Sequence, residues 1–207
     1  MIKTILLTFI VVLTFNGCFF KDPVKFEKET LLQEANTCSK FEKLDSKLKC
    51  YEKIMDKNSV AQLRLGIYYA EKNEFPKALT LLEKAKENKN FYANLPLGYL
   101  YFKGDGVEKD LEKSFNYLKE TANIDANAAY QLSRFYFEGI VIEKDINEGI
   151  RLMKSSANKG MKVAQSKLAS IYKQGAFGVT KNEKEALIWF NKAKENKNDT
   201  TFDIYKL

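Results

Sequence analysis

Residues 93–122, ANLPLGYLYFKGDGVEKDLEKSFNYLKETA, decide the fold. Ala93, Leu97, Gly98 and Tyr101 share one helix face, Gly104, Gly106 and Val107 break it, and Tyr117 and Ala122 mark a second helix after Asp110. The order returns as Ala128, Leu132, Tyr136, Gly139, Asp145, Ala157 and Gly160. It returns again as Ala164, Leu168, Tyr172, Gly175, Gly178, Val179, Ala186, Trp189 and Ala193. A period of roughly 35 residues made of two helices signals stacked helix pairs. One pair cannot cover its own apolar face, so stacking is obligatory, and the expected fold is an all-α solenoid rather than a globule around one catalytic pocket.

The bulk properties narrow the function. The chain has 207 residues, 45% hydrophobic, with three prolines and ten glycines, which fits a folded protein without a long disordered linker. Its net charge of +7 comes from 34 basic and 27 acidic residues set side by side, as at Glu83-Lys84, Lys86-Glu87 and Lys194-Glu195. Nucleic-acid proteins concentrate positive charge on one stripe, so no nucleic-acid partner is expected. Histidine is absent. Its absence removes Ser-His-Asp and Cys-His nucleophile pairs, His-liganded zinc and a neutral-pH imidazole base. Paired carboxylates or a lysine remain open to an enzyme, but the sequence designates no catalytic residue, no metal ligand and no cofactor.

Met1-Ile2-Lys3, the apolar run TILLTFIVVLTF at residues 4–15 and Asn16-Gly17-Cys18 read as a secretory signal, too short for a permanent membrane span. The arrangement resembles a bacterial lipoprotein signal, well matched at Gly17 and Cys18 and departing at Phe15 and Asn16. The resemblance implies removal of residues 1–17 and a lipid on Cys18 that anchors the chain to a membrane. Phe19, where the family's sorting rule places Asp for inner-membrane retention, implies an outer-membrane address facing the periplasm. An ordinary signal peptide cut nearby, without a lipid, is the competing reading.

Two cysteines remain, Cys38 and Cys50, and an oxidising compartment allows them one intramolecular pair. After a tether at 18–25, residues 26–56 read as a helical hairpin that turns at Leu44-Asp45-Ser46 and caps one end of the stack. Closing so short a loop would contribute roughly 2 to 3 kcal/mol. Cys38-Ser39-Lys40-Phe41 to Lys47-Leu48-Lys49-Cys50-Tyr51-Glu52 resembles a two-cysteine motif of exported bacterial proteins, and this resemblance implies the disulfide. A redox-active pair normally has closer spacing and a tuned thiolate.

In the first pair, Leu65, Gly66, Tyr69, Ala78, Leu82 and Ala85 follow tetratricopeptide spacing around the turn Asn73-Glu74-Phe75-Pro76. Later pairs carry about four more turn residues, from Gly104, Gly139 and Gly175, with Asp110, Asp145 or Asn182 as N-cap. This pattern resembles the Sel-one-like repeat, a relative of the tetratricopeptide repeat, and implies a right-handed α-solenoid. The units are a tetratricopeptide-like repeat at 58–90 and Sel-one-like units at 91–125, 126–161 and 162–197. Ser133, Val141 and Ala169 depart from the family's Gly, and Leu152 from its aromatic. Residues 198–207, with Phe202, Ile204, Tyr205 and Leu207, are expected to fold back as the second cap.

Carrying over tetratricopeptide groove positions selects Ile67, Tyr92, Tyr99, Phe102, Lys103, Tyr130, Arg134 and Phe137, with Val60, Leu63, Leu95, Asn127 and Lys173 beside them. Aromatics around an Arg are the residue types that anchor interfaces, although a shift of one residue in repeat phase would turn these rings into the core. The expected function is a non-catalytic scaffold holding a protein or peptide at the bacterial envelope. The alternatives are a cell-wall or β-lactam hydrolase and a structural envelope spacer. The hydrolase reading comes from resemblance to cysteine-rich secreted relatives, whose cysteine pairs are missing from these repeats. Two Ser-x-x-Lys matches, Ser46 to Lys49 and Ser156 to Lys159, lack the partner motifs of penicillin-recognising enzymes.

Overall fold

A computed structural model describes the backbone of residues 23–207 and the side chains from Glu29 onward. The expected signal peptide and Cys18 lie outside the described residues. Among the described residues ten helices run in sequence: α1 Pro23–Ser39, α2 Leu44–Ile54, α3 Ser59–Glu71, α4 Phe75–Glu87, α5 Asn94–Lys103, α6 Leu111–Thr121, α7 Ala126–Glu138, α8 Ile146–Asn158, α9 Lys162–Gln174 and α10 Glu183–Glu195. Short 3₁₀ turns occupy Phe91–Ala93, Ala176–Gly178 and Asp203–Tyr205. The helices pack as four successive pairs behind the α1/α2 hairpin, which makes the fold an all-α, right-handed α-solenoid.

Helix ends are set by the residues the repeat supplies. Asp110, Asp145 and Asn182 accept from the backbone N–H of Lys113, Glu148 and Glu185 at 2.8, 2.9 and 3.0 Å, capping α6, α8 and α10. Gly104, Gly139 and Gly175 end α5, α7 and α9 with φ of 81°, 70° and 71°, the left-handed region where a β-carbon is penalised. A second left-handed position follows each of them and is held by Gly106, Val141 and Phe177 in turn. Val141 at φ 58° is a β-branched residue where glycine belongs.

Within each pair, a small residue on the first helix faces a large one on the second. A β-carbon on Gly66 would stand 2.8 Å from Leu82, and one on Gly98 would stand 3.3 Å from Leu118. In the third pair Ser133 takes this place: its hydroxyl donates to the Tyr130 carbonyl at 2.6 Å and lies 4.0 Å from the Met153 sulfur. The flexible thioether accommodates the extra atoms. In the fourth, Ala169 packs on the cluster that contains Trp189. Buried glutamines bind neighbouring elements. Gln62 donates to the Met55 carbonyl at 2.6 Å and accepts from Asn88 at 3.0 Å, and Gln165 repeats this with Ala157 and Asn196 at 3.0 and 3.2 Å.

The hairpin covers the open side of α3. Ala35, Cys38 and Tyr51 share one cluster with Val60, Ala61 and Leu65, and a Cys38–Cys50 disulfide joins α1 to α2 across a Cα separation of 5.4 Å. The C-terminal segment behaves differently from an end cap. It leaves Leu187 and Phe190 of α10 at 59% and 57% exposure and runs back across the first helices of all four pairs. Its attachments draw it there: Asp199 accepts from the Lys162 N–H, Asn127 and Arg64 donate to its carbonyls, and Ile204 packs beside α3.

Replacing Val141 with Gly should raise stability by about 1 kcal/mol, because it relieves positive-φ strain at a side chain that buries little. Phe177→Gly should give no such gain, since Phe177 stacks on Phe137 at 4.6 Å. Urea unfolding of the two variants checks the contrast.

Candidate peptide-binding face

The first helices α3, α5, α7 and α9 line one face, as the C-terminal segment shows by touching each of them or the turn leading into it. The half of this face nearer the helix C-termini is uncovered. There Tyr99 of α5 is 40% exposed, and its hydroxyl accepts from the Gln131 amide of α7. Gln131 in turn accepts from Arg134 at 3.2 Å, and Arg134 pairs with Glu138 at 3.6 Å. Phe102 lies half-buried beneath, 5.9 Å edge-to-face from Phe135. These side chains border a cleft of about 30 Å³. That holds about one or two waters and falls far below the volume of a small-molecule site. Lys103 stands exposed at the end of α5, 3.9 Å from Asp105.

The other half of the face is occupied. Tyr92 meets Tyr205 edge-to-face at 6.1 Å, and the Tyr205 hydroxyl donates to Asp125. Asp125 also caps α7 through the N–H of Asn127 and Ala128. Burial raises its carboxyl above the ordinary range, and the two backbone N–H groups only partly offset this. Burial likewise pushes the Tyr92 and Tyr99 phenols up. Asn127, 2% exposed, donates to the Thr201 carbonyl at 2.8 Å, while its own oxygen has no partner. Arg64 is 3% exposed. It donates to Tyr51 at 3.0 Å, Asn36 at 2.9 Å and the Ile204 and Asp203 carbonyls at 3.1 and 3.3 Å.

The eight groove positions expected from the sequence therefore divide. Tyr99, Lys103 and Arg134 are exposed, and Ile67, Tyr92, Phe102 and Tyr130 are half-buried. Phe137 is a correction: at 2% exposure it belongs to the core, because Gly149 leaves its ring room and Phe177 covers it. Leu63 and Leu95 are also core, with Val60 and Asn127 buried, and Lys173 is exposed. Arg64, Asp125 and Tyr205 were missed. The available signal was that Arg64 breaks the repeat, standing three residues after Ala61 where Pro96, Gln131 and Lys167 stand after Ala93, Ala128 and Ala164. Of the two Ser-x-x-Lys matches, Ser156 is wholly buried with its hydroxyl on the Met161 sulfur at 3.1 Å, and Lys49 leans to Asp45 at 3.9 Å. Neither serine is paired with its lysine. Among the described residues no group of three or more Cys, Asp and Glu is placed to hold a metal ion, and no helix is long and apolar enough to cross a membrane.

The Sel1 repeat family matches residues 59–90, 92–124, 126–161 and 162–198, the four helix pairs. No curated protein matches. Among solved structures, a Sel1 repeat protein from Oxalobacter formigenes is 27% identical with a TM-score of 0.71, covering 89% of this chain and 79% of that one. The uropathogenic Escherichia coli protein c5321, a protective antigen with an SLR fold, is 21% identical with a TM-score of 0.64 over 86% of this chain and 40% of its own. The Pseudomonas aeruginosa immunity protein Pa5087 is 21% identical with a TM-score of 0.61, covering 82% and 68%. At such identities the last two likenesses concern the fold alone.

The raised Asp125 carboxyl fixes the sign of one pH effect. The folded chain holds this proton more tightly than the unfolded chain, so stability falls as pH rises from the ordinary carboxylate value through the raised one. Asp125→Asn keeps a capping oxygen and removes the buried charge. Its stability profile from urea unfolding at stepped pH should lack that decline.

Proposed function

The chain belongs to the Sel1 repeat family, whose stacked pairs form a scaffold suited to protein binding, and from that premise we propose that it is a non-catalytic envelope scaffold that holds an extended peptide segment of a protein partner on its concave face. One observation carries this reading. Tyr99, Gln131 and Arg134 form a hydrogen-bonded, solvent-facing platform above Phe102, an aromatic surface beside a cation across two adjacent repeats. Tyr and Arg in this arrangement anchor interfaces, and Arg134 with Lys103 favours acidic groups. The small cleft beneath is far below the size of a metabolite site.

The same proposal places the protein on the membrane through a lipid on Cys18, facing the periplasm, with an outer-membrane address following from Phe19. Gly17-Cys18 after a twelve-residue apolar run supports it, as does the disulfide, since a stable Cys38–Cys50 bond suits an oxidising compartment.

A photo-crosslinking residue at Tyr99 should give a discrete adduct in cells, and the same residue at Asn116, exposed on α6, should not. The double variant Tyr99→Ala, Arg134→Ala should reduce capture of the identified partner by at least about tenfold with unchanged helical content. Equal adducts from both positions would overturn the reading. For the anchor, Cys18→Ala should abolish incorporation of a labelled fatty acid and move the protein out of the membrane fraction. Retention of the label would refute lipidation at Cys18.

A further inference from the structure

Resting on the peptide-binding reading, we propose that residues 199–207 are a displaceable occupant of the face, and that the ligand is a peptide that follows the same path and places a carboxylate at Arg64.

Four carbonyls of the segment are held by side chains of the scaffold. Asn127 donates to the Thr201 carbonyl, Arg64 to those of Asp203 and Ile204, and Lys47 to Leu207 at 3.4 Å. Side-chain donors reading carbonyls give a sequence-tolerant grip. Side chains add to it: Asp199 accepts from the Lys162 N–H, the Tyr205 hydroxyl donates to Asp125 beside Tyr92, and Ile204 and Leu207 pack on the neighbouring clusters. Ile204 and Tyr205 are half-buried, while Phe202 is 43% exposed and Asp203 and Lys206 face solvent. Beyond one 3₁₀ turn the segment has no regular structure of its own.

It is also an incomplete occupant, in two independent places. Arg64 is a buried guanidinium whose four acceptors, Tyr51, Asn36 and two carbonyls, are all uncharged, and among the described residues it forms no ion pair. A buried cation without an anion leaves desolvation uncompensated. The Asn127 amide is used on one side only: its nitrogen meets Thr201 and its oxygen, fully buried, has no donor. A peptide strand presenting both a C=O and an N–H to Asn127, and a carboxylate to Arg64, satisfies what residues 199–207 leave unsatisfied. Such a ligand displaces the segment without any new pocket having to open.

The probe follows from the geometry. The hexapeptide DTTFDI, copying residues 199–204, carries its terminal carboxylate where the Ile204 carbonyl meets Arg64. Fluorescein-labelled hexapeptide acid should bind the full chain bearing Ile204→Ser and Tyr205→Ala at least tenfold more tightly than it binds the unaltered chain. The hexapeptide amide should bind at least tenfold more weakly than the acid. On the unaltered chain, excess acid should speed hydrogen exchange of the Asp203 and Tyr205 amides, which donate to Thr200 and Phe202, and leave α3 and α7 protected. This last measurement needs no variant, so a misfolded double variant does not rescue the idea. Equal binding of acid and amide, equal binding to both chains, or unchanged exchange would each overturn it, as would dimerisation of the variant through its freed segment. Failure here with the Tyr99 adduct intact removes only the displaceable segment. Failure of both removes the peptide face.

Discussion

Gly66, Gly98, Ser133 and Ala169 stand at one position of the first helix in four successive pairs, and the close approach they permit sets the geometry of each pair. With a β-carbon at Gly66 only 2.8 Å from Leu82, the Leu82 side chain or the second helix would have to shift. Any such shift accumulates along a solenoid, because each pair is placed by the one before it. The position therefore tolerates growth only where the opposite residue yields. Met153 yields to the Ser133 hydroxyl by virtue of its flexible thioether, and Gly149 gives way elsewhere in the same pair to the Phe137 ring.

The two ends of the stack are treated unequally. A disulfide-bonded hairpin buries Val60, Ala61 and Leu65, so the first pair has the equivalent of a preceding neighbour. At the other end Leu187 and Phe190 of α10 remain open to solvent. The apolar residues that would have covered α10, Ile204 and Tyr205, are committed instead to the first-helix face. Their placement there joins Arg64 of the first pair to Asn127 of the third and Lys162 of the fourth, a tie across the repeats that nearest-neighbour stacking does not provide.

What repeats was legible, and what occurs once was not. The helix pairs, the caps at Asp110, Asp145 and Asn182, and the left-handed glycines are each specified by residues within a few positions of where they act, three times over. The Cys38–Cys50 bond was implied by the resemblance of residues 38–52 to a two-cysteine motif, and it is present. Arg64 meets Ile204 across 140 residues, and Tyr205 meets Asp125 across 80. No local period records such contacts. Phe137 misled because the groove register carried over from the tetratricopeptide pattern takes no account of Gly149, which admits its ring, or of Phe177 in the following turn, which closes over it.

The first-helix face consequently carries two kinds of chemistry on one surface. Around Tyr99 and Arg134 the cation is solvated and already has Glu138 beside it, so an incoming acidic group there gains mainly in orientation and encounter rate. Around Arg64 the cation is buried against neutral oxygens, where the local dielectric is low and an anion gains far more. A carboxylate brought to Arg64 must first replace the carbonyls that hold the guanidinium now, so access is governed by residues 203 and 204 rather than by diffusion to an open surface. Strength at one end and accessibility at the other follow from the same fact: the last nine residues cover half of the face and leave the other half bare.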